Sequence, residues 1–489
     1  MFTKPARPQP RRRPSTAAST AAADRFWTCA PNDLTNPVCW SDPGPVHASD
    51  KLLIRPNGPT PVVVTFPGGA AINNRIGVQS GTIHGAANSA EPRLNSRSAE
   101  LVMTSYLDTG RDFRATVAQK GGIVRTPSLV VNAAGVMSVS GVSQLIATSL
   151  VNAASVSITG QTAQVQTATA SNSGTLTLVN AAFTASNGLT NTARIDATNS
   201  TITGLQWNAG TLIARGPDVT LIHSQPLSNA VGLAITDNTQ VNNPEGMRNE
   251  VGATVSLQGV DTGNGPQAYL SIGNTGAVLT KLGGITGAGF VVMPVDNQGS
   301  VVAQSSANVA NDAILTFSNS FSRVAGSSMV AIGTLNFAGP TSVHNGAMIS
   351  GPGNTTIRHK VDVGTAGAAG RLAVEGKVVR GNFYNADILG TDAGSGYDQL
   401  AVGGPLTLAP GSILKLNSGS LIAQAGQRFS WALTIAGTLG LAVRRRRYRM
   451  TLAQSCSRRH RRLRLLRANP GLETGSQALI WIVQRDALS

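Results

Sequence analysis

Three aspartates, Asp196, Asp218 and Asp237, recur at near-equal intervals in a chain that is otherwise poor in acids. A spacing of about 20 residues matches one turn of a coiled repeat, so the three side chains could line up on successive turns as an acidic strip. Paired carboxylates of that kind serve as general acid and base in glycoside cleavage, or hold a cation. The competing reading is three separate corner residues, since Asp is common in turns. Asp398, in Gly394-Ser395-Gly396-Tyr397-Asp398, overlaps the Gly-Gly-x-Gly-x-Asp calcium nonapeptide. A calcium ion there is shared between adjacent copies, and a single copy makes Asp398 a weak metal candidate. The six histidines show no metal-ligand spacing, and no Gly-x-Ser-x-Gly elbow is present. The expectation is therefore no cofactor, no assigned metal and no assigned catalytic residue, with Asp196, Asp218 and Asp237 as the only catalytic candidates.

The elements that would position these residues are β-strands in a repeat. The 489 residues include 54 glycines, with only 4% aromatic and 13% charged residues. Small side chains with Val, Ile and Leu suit flat β layers closed by tight turns. The phrase Val-Asn-Ala-Ala recurs at Val131, Val151 and Val179, with the second interval longer than the first, inside a stretch with no acid between Phe113 and Ile195. Short alternating runs such as Val136-Met137-Ser138-Val139 and Thr175-Leu176-Thr177-Leu178 place one side of each run inward. Two or three such runs fit between successive copies of the phrase, which is the content of one turn of a parallel β-helix. An Asn at the same corner of successive turns would then form a ladder of amide hydrogen bonds.

The net charge of +16 lies entirely at the two ends. Residues 1–14 carry Lys4, Arg7, Arg11, Arg12 and Arg13, and residues 444–467 carry eleven arginines, all without an acid. The rest of the chain, Ser15–Val443 together with Ala468–Ser489, sums to zero, so the basic pI is no nucleic-acid footprint of the fold, and nucleic acid is not an expected partner. The texture change near Ser430 reads either as GC-rich DNA translated in a shifted frame or as a native arginine tail that contacts phosphate groups. The apolar run Phe429–Val443 is short for a membrane span, and a membrane contact is expected only if that run is the relic of a C-terminal anchor. Cys29 and Cys39, beside Trp27 and Trp40, form a disulfide in an exported protein or remain two free thiols.

From Gly121 to Gln427 the chain resembles the autotransporter-passenger and haemagglutinin-like β-solenoid proteins secreted by bacteria. The stretch Ala386–Val402, followed by Leu406-Thr407-Leu408, resembles the closing module of those arrays. The resemblance implies an all-β, right-handed parallel β-helix with an irregular N-terminal cap and a basic, poorly ordered C-terminal tail. The expected divisions are a leader at 1–25, a cap with first strands at 26–120, the helix at 121–385, a closing β module at 386–443 and the Arg-rich tail at 444–489. It also implies a non-enzymatic structural or adhesin-like protein, secreted or on the cell surface in association with the outer membrane. Carbohydrate, cell-surface or matrix components are the expected partners. A β-helical polysaccharide lyase or hydrolase is the alternative.

Overall fold

The computed structural model describes residues 24–442 apart from 30–31, 34–35, 44–45, 48–49, 55–62, 67–74, 84–92, 97–99, 111–113, 237–238, 260–267, 272–277, 305–312, 365–367, 382, 410–412, 418–427 and 435–436. Residues 1–23 of the leader and the Arg-rich tail lie outside the described residues. The described chain is a parallel β-solenoid in which each strand pairs with its equivalents one turn before and one turn after.

A typical turn has three straight segments around a narrow core. The first face is a short strand, such as Gly135–Ser140 or Ser155–Thr159. The second and third faces are two halves of one bent strand, such as Ser143–Asn152. Its burial alternates until Ala147, and the chain turns at the exposed Thr148. Alternation puts every second side chain inside. Parallel register then stacks like on like: Met137, Val156, Leu176, Ile195, Leu212 and Leu233 follow one another through the first face. All six are 2% exposed or less. Backbone amides in the interior of the stack are consumed by the turns above and below, which removes the exposed edges that a flat sheet of this size would carry.

Each corner has its own chemistry. Between the first and second faces the backbone takes a left-handed conformation at Gly141, Gly160, Asn180, Asn199 and Gly216. Only Gly and, among side-chain-bearing residues, chiefly Asn and Asp visit this region at low cost. Between the second and third faces a Thr hydroxyl bonds a carbonyl two residues on, from Thr126 to Ser128 and from Thr167 to Thr169, both at 2.8 Å. Between the third face and the next first face lies the column of asparagines treated below.

Parallel stacking begins at Asp24–Phe26, which pairs with Lys51–Ile54, well before Gly121. Among the described charges of this stretch, Glu100 contacts Arg125 at 2.6 Å, and Asp108 accepts a hydrogen bond from Asn132. At the N-terminal end Cys29 and Cys39 are disulfide-bonded, and Trp27 packs edge-on against Trp40 at 5.0 Å. Arg25 and Asp50, both almost fully buried, pair at 3.1 Å. At the other end Arg428–Thr434 pairs in parallel with Gln399–Val402 and turns back as an antiparallel partner of Gly437–Ala442. That reversal ends the parallel propagation.

Candidate functional site

The most regular polar feature is internal. Asn152, Asn172, Asn191, Asn208, Asn229 and Asn249 occupy one register column at the third corner, each 1% exposed or less. The amide nitrogens of the first five each donate to the carbonyl oxygen of the next rung at 2.6–2.7 Å, and that of Asn249 donates to the Ala253 and Gly284 carbonyls. Several donate a second bond to the backbone of the following turn, as Asn172 does to the Arg194 carbonyl at 2.9 Å and Asn208 to the Gly232 carbonyl at 3.0 Å. A buried amide costs free energy unless its groups are paired, and here stacking supplies the pairing.

The column continues through Lys281, Asn297 and Arg323. Lys281, fully buried, uses its ammonium as a rung: Nζ donates to Asn297 Oδ1 at 2.8 Å and to the Ser300 carbonyl. Burial pulls its pKa down to about 7. Arg323 donates to Ser327 Oγ at 3.0 Å and to the Met348 carbonyl at 3.0 Å, after which the column becomes Val343 and Val363. The three Val-Asn-Ala-Ala phrases do not make this ladder together. Asn152 is a rung, Asn132 sits one residue past the column and bonds the Thr109 carbonyl at 3.2 Å, and Asn180 occupies the left-handed corner.

The aspartate candidates fall in separate places. Asp196 lies on the first face, in register with Thr177 and Ile213, and is held in a two-bond pair by Arg194 at 2.8 and 3.0 Å. Asp218 lies on the second face, in register with Gln240. The interval from Asp196 to Asp218 therefore exceeds one full turn, which is complete at Ile213, and carries the chain past a corner onto the next face. Asp237 lies outside the described residues. Asp398 is buried, and its two oxygens accept from the backbone amides of Gly370 at 2.7 Å and Asp387 at 2.9 Å. Burial raises its pKa to about 7, against the lowering effect of those two N–H groups. Its place is that of a tie between the segments at Gly370 and Asp387. No three His, Cys, Asp or Glu side chains converge among the described residues.

What the structure does gather is a polar and aromatic strip on the second face. Asp218, Gln240, Tyr269 and Phe290 occupy four consecutive turns in one outward column, with Thr220, Asn242 and Ser271 in the adjacent outward column. Asn242 is the hub. Its Nδ2 donates to Asp218 Oδ1 at 3.2 Å, while its Oδ1 accepts from Gln240 Nε2 at 2.9 Å and from Ser271 Oγ at 2.6 Å. Thr220 Oγ1 adds a contact to Asp218 Oδ1 at 3.4 Å. Tyr269 and Phe290 stack with centroids 4.8 Å apart and planes 9° from parallel. Asp218 and Gln240 are exposed, and both rings are half-buried.

Sequence reasoning found Asp218 but not its companions. Gln240, Tyr269 and Phe290 are separated by unequal intervals, so no fixed period reveals the column. The amide ladder, in contrast, had a signal: an Asn recurs every 17 to 21 residues from Asn152 to Asn249.

No family model matches the chain. No curated protein and no solved structure matches it either.

Proposed function

We propose that the protein is a non-enzymatic, adhesin-like β-helical rod that works outside the cell or on its surface, in association with the outer membrane. The observation that carries this reading is the single parallel stack running from Asp24 to Thr434 with a hydrogen-bonded amide column inside it. Such a coil spends its polar groups on holding itself together and presents long outward faces of Ser, Thr, Asn and Gln. The charges on those faces are largely neutralised locally, by Arg125 with Glu100, Arg194 with Asp196, Arg248 with Glu250 and Lys360 with Asp362. The Cys29–Cys39 bond supports an oxidising compartment, where disulfides persist. Proteinase K added to intact source cells tests the location: digestion of the chain without lysis is the expected result, and full protection until lysis would refute it.

The alternative of a polysaccharide lyase or hydrolase retains one specific observation in its favour, the exposed and hydrogen-bonded Asp218. Incubation of the full chain with polygalacturonate and alginate, followed by absorbance of unsaturated products and by reducing-end assay, separates the two readings. Turnover that disappears in Asp218→Asn would favour the enzyme.

A further inference from the structure

We infer that the second-face strip is a binding site for a neutral, hydroxyl-rich glycan chain, with the Tyr269 ring as its wall and Asp218 and Gln240 as its floor. The inference rests on the adhesin-like reading and gives it a place and a ligand class.

Phe290 covers one face of Tyr269, at a centroid separation equal to the spacing of neighbouring turns, about 4.8 Å. The other face of Tyr269 is turned toward the preceding turns, where Gln240 and then Asp218 lie in register. Gln240 draws its amide sideways to Asn242 at 2.9 Å and Ser271 at 3.4 Å, toward the neighbouring column rather than over the ring. An aromatic face beside fixed polar groups suits a pyranose, whose ring presents C–H groups on its faces and hydroxyls at its rim.

The polar groups are ordered before any ligand arrives. The contacts to Asp218 from Asn242 and Thr220 both fall on Oδ1 and hold the carboxylate in place. Ordering of this kind lowers the entropy cost of binding.

Three other ligand classes fit worse. Asp218 is the one formally charged member of the cluster, so an anionic polymer such as a polyuronate meets like charge and no cation within it. An added peptide strand finds no free sheet edge, because the backbones of Gln240–Asn242 and Tyr269–Ser271 already pair with the turns on either side. A nucleic acid would need phosphate-neutralising cations that the cluster lacks. The column runs along the coil axis over four turns, which suits a linear chain lying lengthwise.

Native gel electrophoresis of the full chain, in gels containing hydroxyethylcellulose, galactomannan or polygalacturonate, tests the assignment. One or both neutral polymers should retard the protein, and any retardation by polygalacturonate, which the basic ends of the chain would cause, should be the same in wild type, Tyr269→Ala and Asp218→Ala. Tyr269→Ala should raise the apparent Kd by about ten-fold, the size of one lost aromatic contact. Asp218→Ala, an exposed change that spares the core, should weaken retardation similarly. Tyr269→Phe should retain most of it, and Thr190→Ala on the third face should not alter it. Circular dichroism confirms that each variant is folded. No retardation by either neutral polymer overturns the site, as does equal retardation of wild type, Tyr269→Ala and Asp218→Ala. Retardation by polygalacturonate that Tyr269→Ala or Asp218→Ala weakens overturns the ligand class. Adherence of the protein to cells, measured in parallel, separates the two readings: adherence without retardation refutes the glycan site alone, and retardation without adherence refutes the adhesin-like role alone.

Discussion

Truncation of one ladder rung, Asn191→Ala, gives the sharpest test of the architecture. Asn191 is fully buried; it accepts from Asn172 at 2.7 Å and donates to Asn208 Oδ1 at 2.6 Å. Its removal affects the two neighbours differently. Asn172 Nδ2 keeps the carbonyls of Gly174 and Arg194, at 3.1 and 2.9 Å. Asn208 Oδ1 loses the donor that Asn191 supplied. A buried polar group left unpaired costs about 1–3 kcal/mol, and the vacated amide volume adds a cavity term of about 1 kcal/mol. The expected loss is therefore about 2–4 kcal/mol, felt mainly in the turns from Asn172 to Asn208, because each turn of a solenoid contacts only its neighbours. Hydrogen exchange followed by mass spectrometry, read on peptides from those turns, should show opening accelerated by roughly 30- to 700-fold. Thr190→Ala, at the exposed position next door, should change exchange little, by less than about 0.5 kcal/mol. Equal exchange in the two variants, or an effect spread evenly from Asp24 to Thr434, would refute the claim that the amide column stabilises the coil locally.

Three further outcomes are expected. Lys281 has a folded pKa of about 7 against 10.5 for an ordinary lysine, so between those values the unfolded chain binds the extra proton and stability rises with pH. Exchange in the turns around Lys281 should slow from pH 7 to pH 10 after correction for intrinsic rates, and Lys281→Asn, which replaces the cation with another amide rung, should flatten that dependence. Cys39→Ser opens a loop closed across ten residues, costing about 2–3 kcal/mol in the first turns; limited proteolysis should then cut near Trp27 and Trp40 while the turns beyond Gly121 stay resistant. Gly204 has φ +88°, and a Cβ there would lie 1.9 Å from the Ala185 carbonyl oxygen, whereas a Cβ at Gly232 meets nothing within 4 Å. Gly204→Ala should lower the thermal midpoint by several degrees and Gly232→Ala should barely move it.

The sequence by itself determined the class of fold. Alternating short strands, scarce aromatics and recurring Asn corners leave little but a stacked β coil, because only repeated turns can bury so many small side chains on one side of each strand. It also located the whole charge excess at the termini, which is a matter of counting. Register was decided by the tertiary structure. Whether Asn132, Asn152 or Asn180 is a rung depends on how many residues each corner takes up, and the corners differ from turn to turn. For the same reason Asp196 and Asp218, one apparent period apart, stand on different faces, while Tyr269 and Phe290, at no regular interval, stack. A one-residue change at a corner moves a side chain from the inside of the coil to the outside. Local propensity fixes the strand and leaves the corner length open, so pairing between successive turns is what converts the residue pattern into a ladder inside and a strip outside.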